Sequence, residues 1–237
     1  MNKNDPLTHR SVLIVGASRG LGLAIAEEYA ARGADVTTTV RGDAPPALLS
    51  RPERSGARVE IEHVDVTEAE SIDALSRRLG VVTFDLLFVV AGVSLAPVEQ
   101  PAVDISTDDF IRTMTTNVLG VMRAVERLAD HVRDTGTIAV MSSGQGSVGN
   151  NTTGGFEVYR ASKAALNQLM RSYAARHAND QRALLLMAPG WVRTDMGGEG
   201  ASLEIADAIP PLVDTVEAQR GTPGLRYLDR RGATVPW

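Results

Sequence analysis

The chain alternates between short, continuously apolar runs and longer stretches whose apolar residues recur at helical spacing. Ser11 to Val15 (SVLIV) is a β-branched run of strand length. Leu23, Ala26, Tyr29 and Ala30 follow at a helical period that Gly33 ends. The same reading predicts strands over Ala34–Val40, Arg58–Val64, Phe84–Val90, Gly136–Ser142, Arg182–Met187 and Leu225–Leu228. It predicts helices from a Thr67 cap to about Leu79, from a Thr107 cap to about Val132, from Phe156 to about His177, and from Ser202 to about Gln219. Pro210-Pro211 should break or kink the last of these. Arg41 to Arg54, with its prolines, reads as a surface loop or a broken helix.

Strands that are apolar throughout belong in a sheet covered on both faces. Their alternation with helices along the whole length predicts one doubly wound, Rossmann-type α/β domain over residues 1–237. It should have a parallel, about seven-stranded sheet and helices on both faces. Ligands of such sheets bind beyond the carboxyl ends of the strands. Gly16, Arg41, Asp65, Ala91-Gly92, Ser142-Ser143 and Pro189-Gly190 stand at those ends.

Composition narrows the function classes. Net charge is −5, from 29 acidic and 24 basic residues without a Lys/Arg run, which does not favour nucleic-acid binding. The absence of cysteine excludes disulfides and thiolate chemistry. His9, His63, His131 and His177 are scattered without metal-ligand spacing. Met1 to Arg10 is polar, with no apolar core of a signal peptide, and no apolar run approaches a membrane span. The expectation is a cytoplasmic protein that binds neither membrane nor nucleic acid.

Three patterns carry chemistry. The first is Gly16-x-x-x-Gly20-x-Gly22, following a strand and opening a helix. Glycines there let the backbone approach a pyrophosphate, and the helix N-terminus offers free N–H groups and a positive dipole end. The second is the end of the next strand, Thr39-Val40-Arg41-Gly42, where an NAD-type site would carry a carboxylate about 20 residues on. Arg41, helped by Arg19, suits a 2′-phosphate instead, which favours NADP(H) over NAD(H). The third is Tyr159-x-x-x-Lys163, two residues on one side of a helix. A fixed ammonium there would lower the phenol pKa and equip Tyr159 for acid–base work on a carbonyl or alcohol oxygen.

In order along the chain, GASRGLG (16–22), Ala91-Gly92, Asn117, Ser143, Tyr159-x-x-x-Lys163 and Pro189-Gly190-Trp191-Val192-Arg193-Thr194-Asp195 resemble the short-chain dehydrogenase/reductase family. The resemblance runs from about Ser11 to Leu228. The later part, with a terminal Pro-Trp, is similar to the subgroup of C-factor, sniffer and carbonyl-reductase-type proteins. It implies Tyr159 as general acid–base and Lys163 on the nicotinamide ribose. It implies Ser143 on the substrate oxygen and Asn117 holding a water that links Lys163 to solvent. It implies cofactor contacts from Gly16, Ser18, Arg19, Gly20, Leu21, Gly22, Arg41, Asp65, Val66, Ala91, Gly92, Pro189, Gly190, Val192 and Thr194. Proximity to these motifs nominates Ser94, Gln145, Phe156 and Trp191 for the substrate pocket; Phe156 and Trp191 could equally be core residues. A mobile substrate loop is expected at about 195–205, where Gly197, Gly198 and Gly200 suit a lid.

Two departures from the family pattern stand out. Val90 replaces the Asn that usually precedes Ala-Gly, and Val15 stands where a Thr hydroxyl often ties down the glycine turn. The resulting expectation is an NADP(H)-dependent oxidoreductase acting on a small to medium ketone, aldehyde or secondary alcohol, assembled as a homodimer or homotetramer. The alternative is a dinucleotide-binding regulatory protein with little catalysis.

Overall fold

The structure, a computed structural model, describes residue 7 and residues 10–49 and 56–237. Seven parallel strands form one sheet: β1 Ser11–Val15, β2 Asp35–Val40, β3 Val59–His63, β4 Phe84–Val89, β5 Val132–Met141, β6 Ala183–Ala188 and β7 Gly224–Asp229. Their order is β3-β2-β1-β4-β5-β6-β7. The direction of winding reverses between β1 and β4, so the crevice beyond their carboxyl ends is where a ligand would sit.

Successive residues on each strand feed opposite cores. Leu13, Val15, Leu87, Val89, Ile138, Val140, Leu184 and Leu186 pack in one cluster. Val12, Ile14, Leu86, Phe88, Ala139, Met141, Leu185 and Met187 pack in the other. This two-sided burial explains why the strands read as unbroken apolar runs. The first cluster is covered by α3 Ala69–Leu79, α5 Val121–Leu128 and α6 Glu157–Arg176. The second is covered by α1 Gly20–Ala31 and α7 Ile205–Ala218.

Several boundaries differ from the sequence reading. The expected helix from Thr107 is divided into α4 Thr107–Met114, a π-helical segment Thr115–Gly120, α5, and a terminal turn Ala129–His131. Ser106, not Thr107, caps α4, accepting the Asp109 N–H at 3.0 Å. Thr67 does not cap α3, because its hydroxyl is donated to Asp65 Oδ1 at 2.7 Å. A short helix, α2 Pro46–Leu49, interrupts the expected loop, whose residues 50–55 lie outside the described residues. β5 begins four residues early, at Val132, with an irregularity opposite Phe84 and Leu86.

The proline pair does not break α7, which begins at Ile205 and runs through both residues. Ala208, Ile209, Leu212, Val213 and Val216 bury one face, and Arg32 donates to the Pro210 carbonyl at 3.2 Å. Burial of that face outweighs two missing backbone N–H bonds.

Candidate active site

A cleft of about 870 Å³ opens beyond the carboxyl ends of the strands. At one end, the turn after β1 is built on two glycines. Gly16 has φ +99°, and a Cβ there would lie 2.8 Å from Ala91 N. A Cβ on Gly22 would lie 2.0 Å from the Gly16 carbonyl oxygen. Neither position admits another residue without movement. The Gly16 N–H donates to Thr39 Oγ1 at 3.0 Å, so a hydroxyl on β2 ties the turn down where Val15 lacks one. No side chain caps α1, which leaves its first N–H groups facing the cleft mouth. Arg19 and Arg41 flank this end, both exposed, and Arg19 Nη1 lies 3.4 Å from Asp195 Oδ2.

Beside it, Asp65 accepts both the Thr67 N–H and hydroxyl, at 2.9 and 2.7 Å. The carbonyl of Val66 abuts the π segment so closely that a Cβ at Gly120 would lie 2.6 Å from it. That segment carries Asn117, fully buried behind the cleft wall. Its amide accepts from Val93 N at 2.7 Å and donates to Val93 O and Ser162 Oγ, at 2.8 and 3.0 Å. The side chain is thus committed to holding the exit of β4 against α6. Val90 packs on the α1/α7 core and donates its N–H to Val15 O at 2.8 Å.

The centre of the cleft brings together Ser143, Tyr159 and Lys163. α6 is preceded by Phe156, whose backbone is left-handed (φ +50°) and whose N–H donates to Val98 O at 2.7 Å. One turn on, Tyr159 lies beside the Ser143 hydroxyl, and Lys163 Nζ lies 5.7 Å from the Tyr159 ring centre. Lys163 is 2% exposed and donates to the Met141 carbonyl at 2.9 Å. Burial lowers its pKa to about 8.

Tyr159 moves opposite to the sequence expectation. Burial pushes its pKa up to about 12, the Ser143 hydroxyl opposes this, and the Tyr227 phenol adds to it. Desolvation of the phenolate sets the direction, and the same burial disfavours the charge on Lys163. Beneath Ser143, Tyr227 donates to its backbone carbonyl. Both serines line the cleft, but Ser142 commits its hydroxyl to Asn167 at 2.6 Å, which leaves Ser143 as the serine beside Tyr159.

Every nominated residue except Asn117 lines the cleft. Phe156 and Trp191 do so as part-exposed residues rather than core. Trp191 is 52% exposed and donates its indole N–H to Gly197 O at 2.8 Å. Among the lining residues missed in the sequence reading are Thr39, Leu95, Val98 and Arg160. A hydroxyl pointing at a turn 23 residues away leaves no local signal. Arg160 sits inside the Tyr159–Lys163 pattern, but its position next to Tyr159 turns it about 100° around the helix.

A model of the short chain dehydrogenase family matches residues 10–203. The chain belongs to the short-chain dehydrogenase/reductase family. It is 30% identical over 234 residues to 1-hydroxy-2-glutathionyl-2-methyl-3-butene dehydrogenase of Rhodococcus sp. (strain AD45), covering 96% of this chain and 99% of that one. A short-chain dehydrogenase/reductase from Burkholderia multivorans, solved with bound NADP, is 50% identical with a TM-score of 0.92, covering 96% and 99% of the two chains. A carbonyl reductase from Pseudomonas aeruginosa PAO1 in complex with NADP is 35% identical with a TM-score of 0.87, again covering 96% and 99%. The single Rossmann-like domain is that of the family, and the chain is an oxidoreductase of it. Among the described residues, no helix is long and apolar enough to cross a membrane, and no acidic, His or Cys group could hold a metal ion.

Proposed function

We propose that this short-chain dehydrogenase/reductase transfers hydride between NADP(H) and a small to medium ketone, aldehyde or secondary alcohol. The observation that carries the proposal is the convergence of Ser143, Tyr159 and Lys163 at the centre of a cleft whose other end is a glycine cradle. The cradle fits a dinucleotide: the space a Cβ would fill at Gly16 and Gly22 is backbone, and the α1 N-terminus is uncapped. Gly16, Gly20 and Gly22 would hold the pyrophosphate, with Asp65 and Val66 beside the adenine. Pro189, Gly190, Val192 and Thr194 would line the nicotinamide end. Arg41 and Arg19 support NADP over NAD, as do the NADP-bound relatives.

When bound, NADPH supplies the hydride for a carbonyl carbon. The chain's own residues do the rest. Ser143 and Tyr159 donate hydrogen bonds to the oxygen where negative charge develops. A phenol held near pKa 12 stays protonated at neutral pH, which suits Tyr159 as proton donor in the reducing direction. Lys163, still mostly charged at neutral pH, stabilises the phenolate as the proton leaves. Asn117 positions this group through Ser162, whose hydroxyl donates to the Tyr159 carbonyl at 2.7 Å.

The segment Met196–Gly200 would act as the lid over the substrate. Its base is bonded between Trp191, Arg193 and Leu203, and its tip carries three glycines. Phe110, Ile111, Leu119 and Leu169, each at least 40% exposed on the long helices, support a homo-oligomer. NADPH and NADH consumption on a panel of carbonyl compounds tests the proposal. Turnover with NADPH preferred is expected; tight binding without turnover of any carbonyl or alcohol would replace it by the regulatory reading.

A further inference from the structure

The substrate end of the cleft has a mixed character. Leu95, Val98, Phe156, Trp191 and Met196 make its walls apolar. Set into them is one cation, Arg160. Its Nε donates to Gly155 O at 2.8 Å and its Nη2 to Gly154 O at 2.9 Å. Two neutral carbonyls hold the guanidinium in place without cancelling its charge. Nη1 has no hydrogen-bond partner among the described residues, and no carboxylate there pairs with Arg160. The two acids that line the cleft are engaged elsewhere, Asp65 with Thr67 and Asp195 facing Arg19. Glu157, one turn back on α6, accepts the Ala102 N–H at 2.8 Å.

A part-buried, fixed and unpaired guanidinium in an apolar pocket is a recognition element for an anion. Its free edge suits a planar carboxylate, while one cation is a poor match for a diphosphate. We infer that the substrate is a carbonyl compound with an apolar body and a carboxylate, and that Arg160 binds the carboxylate. This rests on the reductase reading for its chemistry and on Arg160 alone for its selectivity.

The test uses two aryl keto acids, benzoylformate and benzoylpropanoate, each beside its methyl ester, with NADPH as reductant. The wild type is expected to prefer at least one acid over its ester by about tenfold or more, mainly through KM. In Arg160→Gln that preference is expected to vanish, with Arg160→Lys recovering part of it. No acid preference in the wild type for either pair would overturn the inference. Equal losses for acid and ester in Arg160→Gln would also overturn it, leaving Arg160 as a fastener of the loop before α6. A binding arm decides the question without turnover: benzoate against benzamide, read by the fluorescence of NADPH bound to the protein. Benzoate binding that weakens about tenfold in Arg160→Gln supports the carboxylate site; equal binding of the two ligands refutes it. If none of the four ketones is reduced while benzoate is bound selectively, the reductase reading fails and the carboxylate site stands.

Discussion

Replacing Lys163 by Met should make the protein more stable at neutral pH while destroying its proposed chemistry. Lys163 is 2% exposed, and burial takes its pKa from 10.5 to about 8. A tenfold weakening of proton binding corresponds to about 1.36 kcal/mol, so holding the ammonium in the folded state costs roughly 3 kcal/mol at pH 7. The sign follows from proton counting. Between the folded pKa and the unfolded one the unfolded chain binds more protons, so stability rises with pH across that window. Between pH 7 and about pH 9.5 the wild type should gain about 2 kcal/mol relative to Lys163→Met. The bond to the Met141 carbonyl, 2.9 Å long, is lost in the variant and offsets about 1–2 kcal/mol. Urea denaturation at the two pH values measures the difference. The variant should be the more stable at pH 7 by about 1–2 kcal/mol and lose that advantage by about pH 9.5. A gap between the two proteins that does not change with pH would refute the reasoning.

Other consequences are independent of this one. Gly22→Ala should destabilise by about 1–3 kcal/mol and weaken NADPH binding, because its methyl would meet the Gly16 carbonyl at 2.0 Å; thermal melts with and without NADPH check it. Arg10→Met should cost about 3–5 kcal/mol in denaturation, since Arg10 lies 3.1 Å from both Asp85 and Glu217 in a buried cluster. Asp85 belongs to that cluster: burial raises its pKa, but the Ser11 N–H, Arg133 and Arg10 together bring it below the usual value. Its contribution is therefore present above the unfolded carboxylate pKa and lost as pH falls through the folded one, which an acid titration of stability would follow. Ile111→Asp with Leu119→Asp should dissociate the proposed homo-oligomer in sedimentation without changing its circular dichroism.

The fold was legible because burial on both faces leaves a mark that no single residue hides: β4 and β6 are buried along their whole length and read as apolar runs. The ends of elements were less legible. Pro210 and Pro211 look like a break because the sequence shows two missing donors, whereas the packed face of α7 is visible only in three dimensions. The π segment was hidden for a similar reason. Asn117 and Gly120 read as ordinary helix residues until Val93 and Val66 are brought against them. The nominated residues other than Asn117 line one cleft, since most of their motifs lie at strand ends and Tyr159 and Lys163 share one side of α6. The electrostatics were not legible: an i, i+4 pair suggests a depressed Tyr159 pKa, whereas desolvation of the phenol in the folded cleft reverses the direction. Thr39 and Arg160 act through contacts with segments whose nearness is a property of the fold, not of spacing.

The proposed chemistry stands most directly on Tyr159. The decisive measurement is a single-turnover reduction of a carbonyl substrate by wild type and Tyr159→Phe, each saturated with NADPH and followed by nicotinamide absorbance. Loss of the proton donor should slow the step by at least about 10²–10⁴-fold while the NADPH dissociation constant stays within a few-fold. Turnover at the wild-type rate in Tyr159→Phe would contradict the proposed chemistry.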